Sequence, residues 1–322
     1  MDSNVSKNTN SHNFFKLRLN QEKLGISVKN LLKQELLVIL NLYQQKLKLK
    51  IEPKLVQNLP EVKISISPGK RSPTFRLNNS SHLSKEQFLP IIYACPLGLS
   101  LATNLQQSPS TIMEQLGCLL TAKDDSDLEQ GQLLIEIVPL GWINFYLDAK
   151  LIANWLGRSL FWSQSNVITD RTIYPLDRTS PQLFPVQYIH ARCCSLLRLA
   201  ARENLITFTA NLEQIKQPQS ICWLDPEHNL WLTEIAEHNL LQQLLIVSDA
   251  WLENTPVRRW SKLALSLSQN TAIFLADCRF LGEVKQQYPQ KAIARLGLIA
   301  LVKFLLEKIL VEKLGVAAPK EM

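Results

Sequence analysis

From Pro185 onward the apolar residues recur at helical spacing in long segments joined by short connections. The segments cover residues 186 to 204, roughly 229 to 253, roughly 256 to 276, and 289 to 314. Apolar side chains three and four apart give each segment one face to bury. Successive helices of this kind bury those faces against one another, which predicts an antiparallel bundle. The stretch LGLIALVKFLLEKILVEKLG is interrupted by Lys303, Glu307, Lys308, Glu312 and Lys313 at near-helical spacing. That spacing favours a helix packed in protein over a membrane span.

The N-terminal half alternates element types. Val28, Leu31, Leu32, Leu36, Ile39, Leu40 and Tyr43 follow helical spacing behind Ser27, a candidate N-cap, and that helix is expected to present Lys29, Lys33 and Lys46 outward. EVKISIS alternates as a half-buried strand does, SPGKRSP reads as a turn, and TFRL is its candidate hairpin partner. Helices are expected within LPIIYACPLGLSLATNL and in PSTIMEQLGCLL, then an acidic loop, TAKDDSDLEQGQ. LLIEIV and WINFYL read as strands around the turn PLG, and DAKLIANWLGRSLF closes as a helix. The expected architecture is an α+β N-terminal domain followed by an all-α antiparallel helical bundle. Residues 1 to 20 read as a polar disordered leader, 21 to 162 as the α+β domain, 163 to 184 as a linker carrying Pro175 and Pro181, and 185 to 322 as the bundle.

Charge is unevenly spread. Residues 1 to 90 carry 15 Lys and Arg against 6 Asp and Glu, a net of +9, and the remainder carries −2. A basic N-terminal region favours an anionic partner through phosphate contacts and counterion release; a Lys-rich solvated face is the plainer alternative. The leader lacks a signal peptide's apolar core, so a cytoplasmic protein is expected. Cys95, Cys118, Cys193, Cys194, Cys222 and Cys278 form no C-x-x-C pair and have no His at zinc spacing, so they read as buried small hydrophobes, with no metal and no cofactor expected.

Within QYIHARCCSLLRLA, residues 187 to 200, Ile189, Cys193, Leu196, Leu197 and Ala200 form a helical apolar stripe. Arg192, Ser195, Arg198 and Arg202 fall elsewhere, and the adjacent Cys193 and Cys194 diverge. The stretch reads as a packed amphipathic helix whose exposed face is the open question. His190 on such a helix is more often structural than a ligand or base.

These motifs resemble the arginyl-tRNA synthetase family. QYIHARCCSLLRLA is similar to the first helix of its DALR anticodon-binding domain: a Gln-Tyr, then His-Ala-Arg, then a Ser and an Arg. FLADCRFL, ARLGLIALV and the closing LGVAAPKEM with Met322 resemble later segments of that domain. PLGWINFYL, through Gly141, Ile143, Asn144 and Phe145, resembles a strand of the additional domain at the start of these enzymes. YACPLGLSLATNL departs from that domain's Gly-Asp element. The catalytic core is missing: between Phe145 and Gln187 there is room for barely one βαβ unit, and the core needs several. His12, His82, His190, His228 and His238 form no H-x-x-H pair, and no KMSK-like loop is present.

The resemblance implies a non-catalytic tRNA-binding protein: the bundle on the anticodon stem and loop, the basic N-terminal domain on the elbow. Tyr188 is placed to stack on an unpaired base, and Arg192 and Arg198 to contact phosphates or base edges. Met322 corresponds to a family residue near the anticodon-loop site. Lys29, Lys33, and Lys70 and Arg71 of SPGKRSP are the N-terminal candidates. The alternative is a repurposed protein-interaction or scaffold module presenting exposed aromatics from among Trp155, Trp162, Trp223, Trp231, Trp251 and Trp260, with another protein as partner and no RNA.

Overall fold

The computed structural model describes residues 13–18, 27–47, 62–64, 91–120, 132–138, 140–165, 181–208, 215–253 and 255–322. These group into two compact units: the described residues of 13–18, 32–64 and 91–148 form one, and those of 27–31 and 149–322 form the other.

The first unit is an antiparallel five-stranded sheet covered by helices. In chain order it has β1 (Asn13–Arg18), α1 (Val28–Leu47, whose first turn to Leu31 belongs to the second unit), β2 (Lys63–Ile64), β3 (Ile91–Cys95), α2 (Leu97–Leu105), α3 (Pro109–Leu120), β4 (Gln132–Val138) and β5 (Trp142–Leu147). The strand order is β1-β4-β5-β3-β2. Ile91, Tyr93 and Cys95, Leu133, Ile135 and Ile137, and Ile143, Phe145 and Leu147 alternate into the core, as the two-residue strand period requires. On α1, Leu32, Leu36, Ile39, Leu40 and Tyr43 are buried. The Tyr43 hydroxyl donates to Gln115 of α3 at 2.6 Å. Glu136, also buried, accepts from Asn144 at 2.8 Å and from the Tyr146 hydroxyl at 2.6 Å. The Asn of the Ile-Asn-Phe motif thus bonds across the β4–β5 pair.

The two Pro-Leu-Gly segments meet. Gly98 N–H donates to the Gly141 carbonyl at 2.9 Å, and Gly141 has φ +95°, a left-handed value that favours glycine. A Cβ on Gly98 would lie 2.8 Å from Gly141 Cα, so the contact requires a bare backbone.

Several expectations need correction here. The polar leader contains β1, which pairs with β4 from Asn13↔Ile137 to Arg18↔Gln132. Its sequence, NFFKLR, contains residue types that favour a strand. Within LPIIYACPLGLSLATNL the expected helix is present from Leu97, but the residues before it form β3, which pairs with β5. β2 pairs with β3. TFRL and the acidic loop lie outside the described residues.

The second unit contains α4 (Ala149–Ser165), a 3₁₀ turn (Pro181–Leu183), α5 (Phe184–Arg202), β6 (Thr207–Phe208), β7 (Ile215–Gln217), α6 (Ile235–Trp251), α7 (Val257–Asp277), α8 (Glu283–Gln287) and α9 (Pro289–Lys308), which ends in a π turn, Ile309–Lys313. The bundle is helical apart from the β6–β7 pair and a bridge between Leu224 and Leu230. α4, reaching Ser165, belongs to this unit, and residues 166–180 lie outside the described residues. α9 is its central helix, buried nearly all round from Ala292 to Leu306. Its most deeply buried cation, Arg295, donates to buried Glu237 of α6 at 2.6 Å and to the Arg279 carbonyl. The Arg of ARLGLIALV is thus tied to FLADCRFL.

The tryptophans are not an exposed set. Trp155, Trp223 and Trp260 are buried, and Trp162, Trp231 and Trp251 are half-buried. Trp162 meets Phe304 edge-on at 5.0 Å, as Trp251 meets Trp260. The Lys308 ammonium lies 5.4 Å from the Trp162 ring centre and Lys313 lies 4.7 Å from that of Trp251.

Candidate nucleic-acid interface

α5 presents two working faces. Pro185 stands in its first turn, where a missing N–H costs no helical bond. Phe184, Tyr188 and Arg192, spaced i, i+4, i+8, form an exposed strip, with Ser195 continuing it. The rings of Phe184 (54% exposed) and Tyr188 (48%) stack at 6.4 Å with 21° between their planes. Two adjacent exposed rings make an apolar surface suited to flat apolar partners, with the Arg192 guanidinium one turn on.

The second face holds the segment that follows α9. Gly315, at φ +63°, turns the chain back, and Val316 N–H donates to the Leu310 carbonyl at 2.9 Å. Gln187 then donates to the Ala317 carbonyl at 2.8 Å, His190 Nδ1 to the Pro319 carbonyl at 2.8 Å, and Arg198 to the Lys320 carbonyl at 3.0 Å. A carbonyl only accepts, so His190 carries its proton on Nδ1, leaving Nε2 to accept from the Cys194 thiol at 3.9 Å. Burial lowers the His190 pKa, opposed by the Pro319 bond and by Glu307, while Lys303 and Lys320 add to the lowering. Burial works to raise the Glu307 carboxyl, but Lys303 at 2.9 Å, with His190 and Lys320, outweighs it and holds the group below the usual carboxylate range.

The site candidates therefore separate. Tyr188 and Arg192 share the exposed strip. Arg198 belongs to the segment-holding face and also pairs with exposed Glu321 at 3.3 Å. Met322 is 58% exposed beyond that segment. Lys29 is not outward but buried: its ammonium meets Glu253 at 2.5 Å, because the first turn of α1 docks on the end of α6. Lys33 is half-buried, its charge near Cys95, whose thiol burial pushes up to about 12. Lys70 and Arg71 lie outside the described residues.

Both vicinal cysteines are buried, Cys194 included, because α5 packs against α9 as well as α7. Burial raises both thiols. The six cysteines are free thiols, and among the described residues no His, Cys, Asp or Glu cluster could hold a metal ion. No helix among the described residues is long and apolar enough to cross a membrane.

Comparison with known families bears on the bundle: residues 186–322 match the DALR anticodon binding domain. This part of the chain is similar to a DALR anticodon-binding domain. Two relatives that match part of the chain are arginine–tRNA ligases. The arginine–tRNA ligase of Gloeobacter violaceus is 30% identical over 151 residues, 44% of this chain and 23% of the relative. That of a Synechococcus species is 30% identical over 157 residues, 46% of this chain and 24% of the relative. The matched part thus spans about a quarter of these relatives' length. No solved structure matches the chain.

Inside the matched residues lie Tyr188, Arg192, Arg198, Met322 and the whole segment-holding face. Phe184 lies just before it, and sequence reasoning missed it: only the helix start at Phe184 puts it four residues, one turn, from Tyr188. Trp142, 39% exposed beside the Gly98–Gly141 contact, was also missed, because strand alternation assigns it a face without saying what covers that face.

Proposed function

We propose that this protein binds tRNA without aminoacylating it, the DALR domain taking the anticodon stem and loop and the basic N-terminal region the elbow. The observation that carries the reading is the exposed Phe184–Tyr188 stack beside Arg192, on the first helix of a DALR domain. Unpaired loop bases stack on such rings at about 1–3 kcal/mol per base, and an adjacent guanidinium meets the intervening phosphate. The +9 charge of residues 1 to 90 supplies the long-range attraction that the remainder, at −2, lacks. Exposed Trp142 offers the first unit one stacking surface of its own. The relatives are arginine–tRNA ligases, so a tRNA is the partner of choice. With neither an H-x-x-H pair nor a KMSK-like loop, the chain is not expected to activate arginine.

A filter-binding titration with tRNA tests this. Affinity is expected to fall by about a decade or more between low and physiological salt. Undetectable or salt-insensitive binding would overturn the reading in favour of a protein-interaction module. An ATP–pyrophosphate exchange assay is expected to be blank, and an arginine-dependent signal would refute the loss of catalysis.

A further inference from the structure

The segment after α9 reaches its place through α5 side chains that the family resemblance singles out but that touch no solvent. Gln187 and His190 are 0% exposed, and their hydrogen bonds go to the Ala317 and Pro319 carbonyls. Gln187, His190, Cys194 and Arg198 are spaced i, i+3, i+7, i+11 and share one side of the helix. The Phe184, Tyr188 and Arg192 strip lies about 100° round the axis from it. The contacts advance together: Ala317 meets Gln187, Pro319 meets His190, and Lys320 meets Arg198. The segment therefore runs along α5 in the helix's own direction, with the Ala317, Pro319 and Lys320 carbonyls turned to it. Lys320 is half-buried, and Glu321 and Met322 are exposed.

We infer that His190 is a positioning residue that fixes the Gly315–Met322 segment along α5, so that Lys320 and Met322 form a second wall of the RNA-contacting surface. The bond is central to the segment and directional. The imidazole is itself held, because its Nε2 accepts from the Cys194 thiol while Nδ1 donates to Pro319. The histidine of the His-Ala-Arg motif is thus spent on ordering a piece of chain 129 residues away, not on proton transfer. The claim rests on the tRNA-binding reading for its functional half only.

The test combines backbone hydrogen exchange with tRNA titration on the full chain. His190→Leu is expected to speed exchange of the Val316 amide, whose bond to the Leu310 carbonyl starts the segment, by about tenfold, with α6 and α9 unchanged, and to weaken tRNA binding several-fold. His190→Asn, which keeps a donor near the Nδ1 position, is expected to restore most of both. With residues 317–322 deleted, His190→Leu is expected to add no further loss of affinity. Unchanged exchange in the segment, faster exchange throughout α6 and α9, or an undiminished loss in the deletion background would each overturn the assignment. If the unaltered chain binds no tRNA, the RNA-binding reading fails and the second wall with it, while exchange still decides whether His190 holds the segment.

Discussion

The carboxylate of Asp249, on α6, accepts the Ser27 hydroxyl at 2.8 Å and, through the same oxygen, the Lys29 backbone N–H at 2.9 Å. Ser27 Oγ in turn accepts from Asn30 N–H at 3.1 Å, the expected N-cap bond. An anion at a helix N-terminus also meets the positive end of the helix dipole. Asp249→Ala leaves a buried N–H and hydroxyl without their acceptor, and is expected to lower stability by about 1–3 kcal/mol in urea denaturation. Asp249→Asn, still an acceptor, is expected to lose less.

Arg295 and Glu237 form a pair with side chains 5% and 0% exposed. Removing one partner strands a buried charge, so Arg295→Met is expected to cost about 3–5 kcal/mol. Arg295→Met combined with Glu237→Leu is expected to recover part of that, less the loss of the Glu237 bond to the α6 cap. Denaturation midpoints of the single and double variants separate the two effects.

Gly98→Ala places a methyl 2.7 Å from the Met113 sulfur and 2.8 Å from Gly141 Cα. The thioether can swing aside; the backbone cannot. A loss of about 1–3 kcal/mol is expected. Truncating Met113 to Ala in the same chain is expected not to relieve it, as thermal melts of both variants would show.

His190 and His238 are both lowered below 6.5, each chiefly by burial. For His238 the Leu232 carbonyl and Glu234 oppose the shift; for His190 the Pro319 bond and Glu307 do, against Lys303 and Lys320. Below 6.5 the unfolded chain binds protons on these imidazoles that the folded chain refuses, which favours unfolding. Stability is therefore full above 6.5 and falls as pH drops from there toward the lowered folded values. Denaturation at stepped pH should show this decline, shallower in His190→Asn.

Tyr188→Ala is expected to weaken tRNA binding by roughly 5- to 150-fold, corresponding to about 1–3 kcal/mol of stacking, and Tyr188→Phe by far less. Phe184→Ala is expected to act in the same direction. Arg192→Ala is expected to reduce the salt slope by about one phosphate contact, and Arg198→Ala to leave it nearly unchanged, because Arg198 is engaged by Lys320 and Glu321. Titrations at several salt concentrations measure both quantities.

Where a local pattern carries its own period, the sequence alone was enough. The segments of the bundle, apart from the start of α6 at Ile235 rather than near residue 229, the Ser27 cap, the β4–β5 hairpin and the apolar stripe of α5 follow from spacing and turn chemistry, which each segment holds within itself. Tertiary structure decided what depends on a distant partner. Ile91–Cys95 became a strand because β5 offers it a ladder, and Asn13–Arg18 because β4 has an open edge. Lys29 turned inward because Glu253 awaits it, and Cys194 was buried because α9 covers a second side of α5. The site divided for the same reason. Helical spacing put Tyr188 and Arg192 on one strip, but only the returning segment after Gly315 could claim Gln187, His190 and Arg198 for the other.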